Sequence, residues 1–286
     1  MKIIVGKTAG FCNGVKRAVE GTFEQILANK ANKIYCLGEL VHNKQVILEL
    51  ESKGIEIIEK IEDVPENSTV IIRAHGVEKN IYNVAKQKNL NIIDYTCPNV
   101  LKIHELAEKY YEQGFYIFLI GVKKHPEIIG TISYCGNSST IIGEESDVKE
   151  AIAKFEQSKK KKLLVIAQTT YSLEKFEKIK QQIENSIDES IELIVKNTIC
   201  FATEQRQKET KKLSQNVDCM IIIGGKNSSN TKKLYDIANE KCKNTLLIET
   251  KDEINKKSIE DYTNIGIMAG ASTPRKSIED VIELLK

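Results

Sequence analysis

Three cysteines, Cys12, Cys97 and Cys200, stand in one local context that recurs along the chain. Each follows a short apolar run: Lys2-Ile3-Ile4-Val5, Asn91-Ile92-Ile93-Asp94 and residues 191–195. Each precedes a stretch with helical spacing, at residues 14–27, 100–113 and 202–215. A thiol just past a strand and at the mouth of a helix meets the positive end of the helix dipole, which favours the thiolate, the form that binds metal. Three thiolates delivered by three separate segments read as a metal cluster with one coordination position open. Structural zinc sites draw on close pairs such as Cys-x-x-Cys, and this chain has none. A cuboidal four-iron cluster is wider and suits ligands from distant segments. With three cysteines it keeps one iron free to act on substrate as Lewis acid and electron donor. The reading therefore favours iron–sulfur, with zinc as the alternative.

The other cysteines have plainer explanations. Cys36 and Cys219 lie inside strand patterns and Cys242 near a helix end, where cysteine is a small buried hydrophobe. Cys135, in Tyr134-Cys135-Gly136-Asn137, sits in a loop and is the one remaining cysteine from which a fourth ligand is conceivable. Among the histidines, His104 falls inside a helix pattern and reads as structural. His42, His75 and His125 follow strands, where loops carry function. His125-Pro126-Glu127 sets an acid beside a histidine. Lys226-Asn227-Ser228-Ser229-Asn230 follows a strand and Gly224-Gly225 and precedes a helix, a position that suits an anion on backbone amides and hydroxyls.

The elements that position these residues repeat as well. Cys12 to Gly38 is 38−12 = 26 residues, Cys97 to Gly121 is 24, and Cys200 to Gly224 is 24. Each glycine ends an apolar run, and His42, His125 or Ser228 stands four residues later. A third run ends at Ala74, Ala167 or Ala269, with glycine-to-alanine distances of 36, 46 and 45. Polar residues follow each alanine: His75, Gln168-Thr169-Thr170 and Ser272. This self-similarity predicts three homologous units, residues 1–96, 97–198 and 199–286. Apolar runs alternating with amphipathic stretches predict α/β units with mostly parallel sheets and helices on both faces. Ligands in such sheets bind beyond the carboxyl ends of the strands, and every residue singled out above lies at that edge. If the three units face one another about a pseudo-threefold axis, these groups converge on one cavity.

Composition sets the bounds. The 286 residues are 41% hydrophobic and 29% charged, as in an ordinary soluble protein with enough apolar surface for cores. A net charge of +2 gives no electrostatic case for nucleic-acid or membrane binding. The N-terminus opens on a strand pattern without a signal-peptide apolar core, and no run approaches a membrane span. Seven scattered cysteines argue against a disulfide framework, and the expected compartment is cytoplasmic.

At this point the motifs carry a resemblance. Gly10-Phe11-Cys12-Asn13-Gly14-Val15, Val41-His42-Asn43, Ala74-His75-Gly76-Val77, Thr96-Cys97-Pro98 and His125-Pro126-Glu127 occur in order. They are followed by Gln168-Thr169-Thr170, Ile199-Cys200-Phe201-Ala202-Thr203, Lys226-Asn227-Ser228-Ser229-Asn230 and Ala269-Gly270-Ala271-Ser272. Together they resemble the IspH/LytB family of 4-hydroxy-3-methylbut-2-enyl diphosphate reductases over nearly the whole chain. Ser133 stands where that pattern leads one to expect glycine.

The resemblance implies three pseudo-repeated α/β domains with mostly parallel sheets, arranged as a trefoil around a central [4Fe-4S] cluster held by Cys12, Cys97 and Cys200. It implies reductive dehydroxylation of an allylic alcohol diphosphate to isopentenyl and dimethylallyl diphosphates, with ferredoxin or flavodoxin as electron donor. Glu127 would be the proton donor, with Thr169 and His125 in its hydrogen-bond relay. His42, His75, Ser228, Ser229, Asn230 and Ser272 would hold the diphosphate, and histidines beside it are expected to favour the protonated form. Two rivals come from other reactions or classes. One resembles quinolinate synthase, which also joins three repeated domains around a three-cysteine cluster but condenses and dehydrates. The other is an iron–sulfur sensor or electron carrier, which would have no use for an anion pocket.

Overall fold

The computed structural model describes residues 1–29 and 33–286. The first third of the chain forms β1 (Lys2–Val5), α1 (Asn13–Ala28), β2 (Ile34–Leu37), α2 (Lys44–Ser52), β3 (Ile55–Ile58), β4 (Thr69–Ile72), α3 (Lys79–Gln87) and β5 (Asn91–Asp94). The middle forms α4 (Pro98–Glu112), β6 (Tyr116–Ile120), α5 (Pro126–Ile132), β7 (Ser139–Ile142), α6 (Val148–Gln157), β8 (Lys162–Ala167), α7 (Leu173–Ser186) and β9 (Glu192–Val195). The last third forms α8 (Phe201–Ser214), β10 (Cys219–Ile223), α9 (Ser229–Lys241), β11 (Thr245–Ile248), β12 (Asn264–Ala269) and α10 (Arg275–Leu285). Short 3-10 turns at Ile61–Asp63, Glu145–Asp147, Lys251–Glu253 and Lys256–Ser258 complete the connections.

The strands make three four-stranded sheets in which every neighbouring pair is parallel. Their orders are β3-β2-β4-β5, β7-β6-β8-β9 and β11-β10-β12-β1. The pattern is the same in all three, and the fourth strand of each is the one that runs into a cysteine loop. β5 leads to Cys97, β9 to Cys200, and β1, which pairs with β12 in register Lys2↔Asn264, leads to Cys12. The three predicted α/β sheets are present, and the N-terminal strand completes the sheet of the last third.

The chain divides into two compact units. The first comprises Met1–Val19, Val41–Ser52 and Phe201–Lys286, with the β1-containing sheet; the second comprises Glu20–Leu40 and Lys53–Cys200, with the other two sheets. In the second unit, β6 is buried along all five residues because helices cover both of its faces. Tyr116, Phe118 and Ile120 pack with Phe155, Phe176 and Ile179, while Ile117 and Leu119 pack with Ile103, Ala107 and Ile128. In the first unit, Cys219, Ile221 and Ile223 of β10 meet Ile278 and Val281 of α10, and Met220 and Ile222 meet Leu234 and Ala238 of α9. Each fully buried side chain of this size contributes about 1.5–3 kcal/mol, so an ionised residue at Ile221 or Phe118 would break its layer. Among the described residues, no helix is long and apolar enough to cross a membrane.

Candidate active site

In each sheet the chain leaves the first strand toward one side and the third strand lies on the other. The topological switch point therefore falls between β2 and β4, β6 and β8, and β10 and β12. Crevices at such points bind ligands beyond the carboxyl ends of the strands. The residues just past those ends include His75, His125, Thr169, Ser228 and Ser272, all marked by the sequence.

The second unit holds the acid. Pro126 fixes the first turn of α5, and His125 caps it, its Nδ1 accepting the Glu127 N–H at 3.1 Å. This turns the Glu127 side chain inward, where it is only 2% exposed. Thr169, in the loop after β8, donates its N–H to Glu127 Oε1 at 2.6 Å and its hydroxyl to Oε2 at 2.7 Å. Burial raises the Glu127 pKa from its ordinary value to about 7, and the two Thr169 hydrogen bonds only partly offset it. His75 and His125 meet edge to face, ring centroids 5.3 Å apart. With Nδ1 accepting this capping hydrogen bond, the ring nitrogen of His125 left to donate is Nε2.

Cys97 and Cys200 lie in this unit as well. Cys97 is the N-cap of α4, and its N–H donates to Ala74 O at 2.9 Å, while the Cys200 N–H donates to Thr169 O at 2.9 Å. One functional candidate escaped the sequence reading. Asn99 donates Nδ2–H to Cys200 Sγ at 3.1 Å, a contact across 101 residues that only the position Cys97-Pro98-Asn99 hinted at.

The first unit holds the anion candidates. Ser228 caps α9, its Oγ accepting the Thr231 N–H at 3.3 Å. Behind it Asn230 is 3% exposed, yet neither its Oδ1 nor its Nδ2 has a hydrogen-bond partner among the described residues, and the same holds for the Ser229 hydroxyl. Unpaired buried amides are rare because each forfeits its hydration. An anion at the head of α9 would accept from the Asn230 Nδ2 and the Ser229 hydroxyl and meet the helix dipole. Ser272 donates its hydroxyl to His42 O at 3.0 Å, which ties the two predicted diphosphate residues together. A Cβ on Gly225 would stand 2.5 Å from the same carbonyl, so only glycine permits this approach. Cys12 N–H donates to Ala271 O at 3.1 Å in the same unit.

The donor set suits a thiolate-bound metal group. Cys12, Cys97 and Cys200 are free and half-buried, whereas the other four cysteines are free and buried. Burial pushes the thiols of Cys36 and Cys135 up to about 12 and that of Cys219 to about 11. Cys135 is a core residue packed beside Phe115 and Ile117 with its Sγ on Thr131 O, which removes it as a fourth ligand. His104 stacks on Tyr134 and is driven down to about 4 by burial, as a structural histidine should be. Ser133, the departure from the motif pattern, accepts the Lys79 N–H and donates to Gly130 O.

Comparison with known proteins agrees with this arrangement. Residues 3–286 match the family described as LytB protein. The 4-hydroxy-3-methylbut-2-enyl diphosphate reductase of Clostridioides difficile (strain 630) is 42% identical over 286 residues, covering 100% of this chain and 99% of that protein. A solved structure of (E)-4-hydroxy-3-methyl-but-2-enyl diphosphate reductase, the terminal enzyme of the non-mevalonate pathway, is 39% identical. Its TM-score is 0.71, and the match covers 99% of this chain and 98% of that one. The E-1-hydroxy-2-methyl-but-2-enyl-4-diphosphate reductase from Plasmodium falciparum is 32% identical with a TM-score of 0.90, covering 99% and 87% of the two chains. With a family match along nearly its whole length and a relative 42% identical over the full chain, the chain belongs to the LytB protein family.

Proposed function

We infer that this chain catalyses the reductive dehydroxylation of (E)-4-hydroxy-3-methylbut-2-enyl diphosphate, the last step of the methylerythritol phosphate route. Two electrons and two protons enter, the allylic C–O bond breaks, the oxygen leaves as water, and isopentenyl and dimethylallyl diphosphates remain. The observation that carries this reading is Glu127: a carboxyl group buried to 2% exposure, gripped by Thr169, with a pKa raised to about 7. Such a group still holds its proton near neutrality and delivers it to a leaving hydroxyl.

Cys12, Cys97 and Cys200 hold a [4Fe-4S] cluster, which supplies electrons and Lewis acidity when bound. Thr169 and His125 orient Glu127 and meet the substrate. His42, His75, Ser228, Ser229, Asn230 and Ser272 bind the diphosphate, for which the unpaired Asn230 amide at the head of α9 is the main support. Hydroxyls, amides and a helix end bind this anion at lower desolvation cost than buried lysines would. That anion site counts against a bare electron carrier. The three stretches 1–96, 97–198 and 199–286 are read as homologous repeats, supported by the common strand order of the sheets. On the family resemblance, a ferredoxin or flavodoxin donates the electrons; the free, scattered cysteines are the ground for a cytoplasmic location.

Anaerobic purification, iron and sulfide analysis, and turnover with a reduced viologen dye test the reading. Iron and sulfide near four each per chain and two electrons consumed per substrate are expected. Turnover without electron consumption would overturn it.

A further inference from the structure

The loop that carries Cys12 is the longest of the three cysteine loops. Cys97 stands 97−94 = 3 residues past β5, Cys200 stands 200−195 = 5 past β9, and Cys12 stands 12−5 = 7 past β1. Each added residue must give up its backbone freedom if the thiol is to be held still. Within the loop, Ala9 N–H reaches Gly6 O at 3.1 Å, and Gly10 turns through φ +96°, a conformation that side chains disfavour.

Two charged side chains of α8 grip this loop from outside. Arg206, 3% exposed, donates from Nη2 to Gly10 O at 2.7 Å and from Nη1 to Ala202 O at 3.2 Å on its own helix. One turn on, Glu209 accepts the Lys7 N–H at 2.7 Å, the Thr8 N–H at 2.9 Å and the Thr8 hydroxyl at 2.5 Å. The spacing of three residues puts both on one face of the helix, so they hold the loop at residues 7–8 and again at residue 10. The buried residues of this helix are polar throughout, namely Thr203, Arg206, Gln207, Thr210 and Ser214. A purely structural helix fills such a face with apolar residues. A buried guanidinium donating to the backbone carbonyls of Gly10 and Ala202 breaks that local rule, and such breaks mark functional positions.

We propose that Arg206 and Glu209 are positioning residues that fix the Cys12 thiol, acting through the backbone of residues 7–10. The inference rests on Cys12 being a cluster ligand. Outer partners of metal ligands set how firmly the metal is kept.

The test uses anaerobically purified, cluster-loaded protein and the variants Glu209→Gln, Arg206→Lys and Arg206→Met. An iron chelator is added with iodoacetamide, iron release is followed, and peptide mass spectrometry reads which thiol is alkylated first. Glu209→Gln and Arg206→Met are expected to release iron roughly tenfold faster, with Cys12 labelled ahead of Cys97 and Cys200. Arg206→Lys, which keeps the charge and one donor, should fall between them and the unaltered chain. If Arg206→Met does not fold, Glu209→Gln decides, since that side chain is partly exposed. Unchanged release and labelling order in Glu209→Gln and Arg206→Lys would overturn the proposal. So would parallel labelling of all three thiols with a lowered unfolding temperature, the mark of general loosening. Absence of iron from the unaltered protein would instead count against the three-cysteine cluster, and the labelling order in that preparation would still decide the positioning role.

Discussion

Thr169 grips both oxygens of Glu127, one through its backbone N–H and the other through its hydroxyl, across 42 residues of sequence. The two residues sit past β8 and at the start of α5, on opposite sides of one switch point. A carboxyl group held at two points is oriented before substrate arrives, which is what a proton donor requires.

Glu127→Gln keeps the shape but removes the carboxylic proton. Iron loading and substrate affinity should survive, while turnover with reduced viologen falls by roughly a hundredfold or more. Thr169→Val should cost less, since the backbone donor remains. Near-normal turnover in Glu127→Gln would move the proton source to another group.

The raised pKa of Glu127 gives two pH signatures. Turnover should decline as pH rises through about 7, because the donor then loses its proton, and this limb should vanish in Glu127→Gln. Stability follows the same sign. The folded pKa lies above the ordinary 4.5, so burial of Glu127 costs nothing below that value and reaches its full cost above about 7. That cost is at most on the order of 3 kcal/mol for a shift of this size. Denaturant unfolding of the metal-free protein between pH 5 and 8 should therefore show a slope in the unaltered chain that flattens in Glu127→Gln.

Alanine at Cys12, Cys97 or Cys200 should abolish or cripple iron loading. Alanine at Cys36, Cys135, Cys219 or Cys242, all buried, should leave iron content intact and cost only stability, by roughly 1–3 kcal/mol. Iron content and visible absorption after anaerobic reconstitution separate the groups. Full loading of Cys97→Ala would remove the ligand assignment.

The proposed anion site is separable from folding. Ser228→Ala should lower diphosphate affinity about ten- to a hundredfold, the scale of one hydrogen bond to a charged group. Ser272→Ala should do likewise, partly by releasing the His42 carbonyl that its hydroxyl holds. Asn230→Ala is the sharper case. Its amide has no hydrogen-bond partner among the described residues, so stability should stay level or rise while calorimetric affinity for the diphosphate drops. Falling stability with unchanged affinity would make Asn230 a core residue and nothing more.

Much of this was legible in the residues because the signals are local. The runs before Cys12, Cys97 and Cys200 became β1, β5 and β9, and the helical stretches after them became α1, α4 and α8 within a residue or two. What stayed hidden depends on partners far away in sequence. Parallel pairing leaves no turn to read, so nothing near Lys2 announces Asn264 as its neighbour. Arg206 and Glu209 read as ordinary charges on a polar helix, since only the fold reveals that Gly10 and Thr8 lie beside them. Glu127 was found by its neighbour His125, but its contact with Thr169 joins two separate loops.

The pairing of β1 with β12 has a consequence for the chain as it is made. β1 emerges first, yet its partner begins only at Asn264, 264−5 = 259 residues later. At a synthesis rate of about 5–20 residues per second, the nascent chain carries an unpaired Ile3-Ile4-Val5 edge for some tens of seconds on the order set by that rate. Residues 20–40 and 53–200 can meanwhile complete both of their own sheets. The Cys12 loop is therefore the last of the three cysteine loops to reach its native frame.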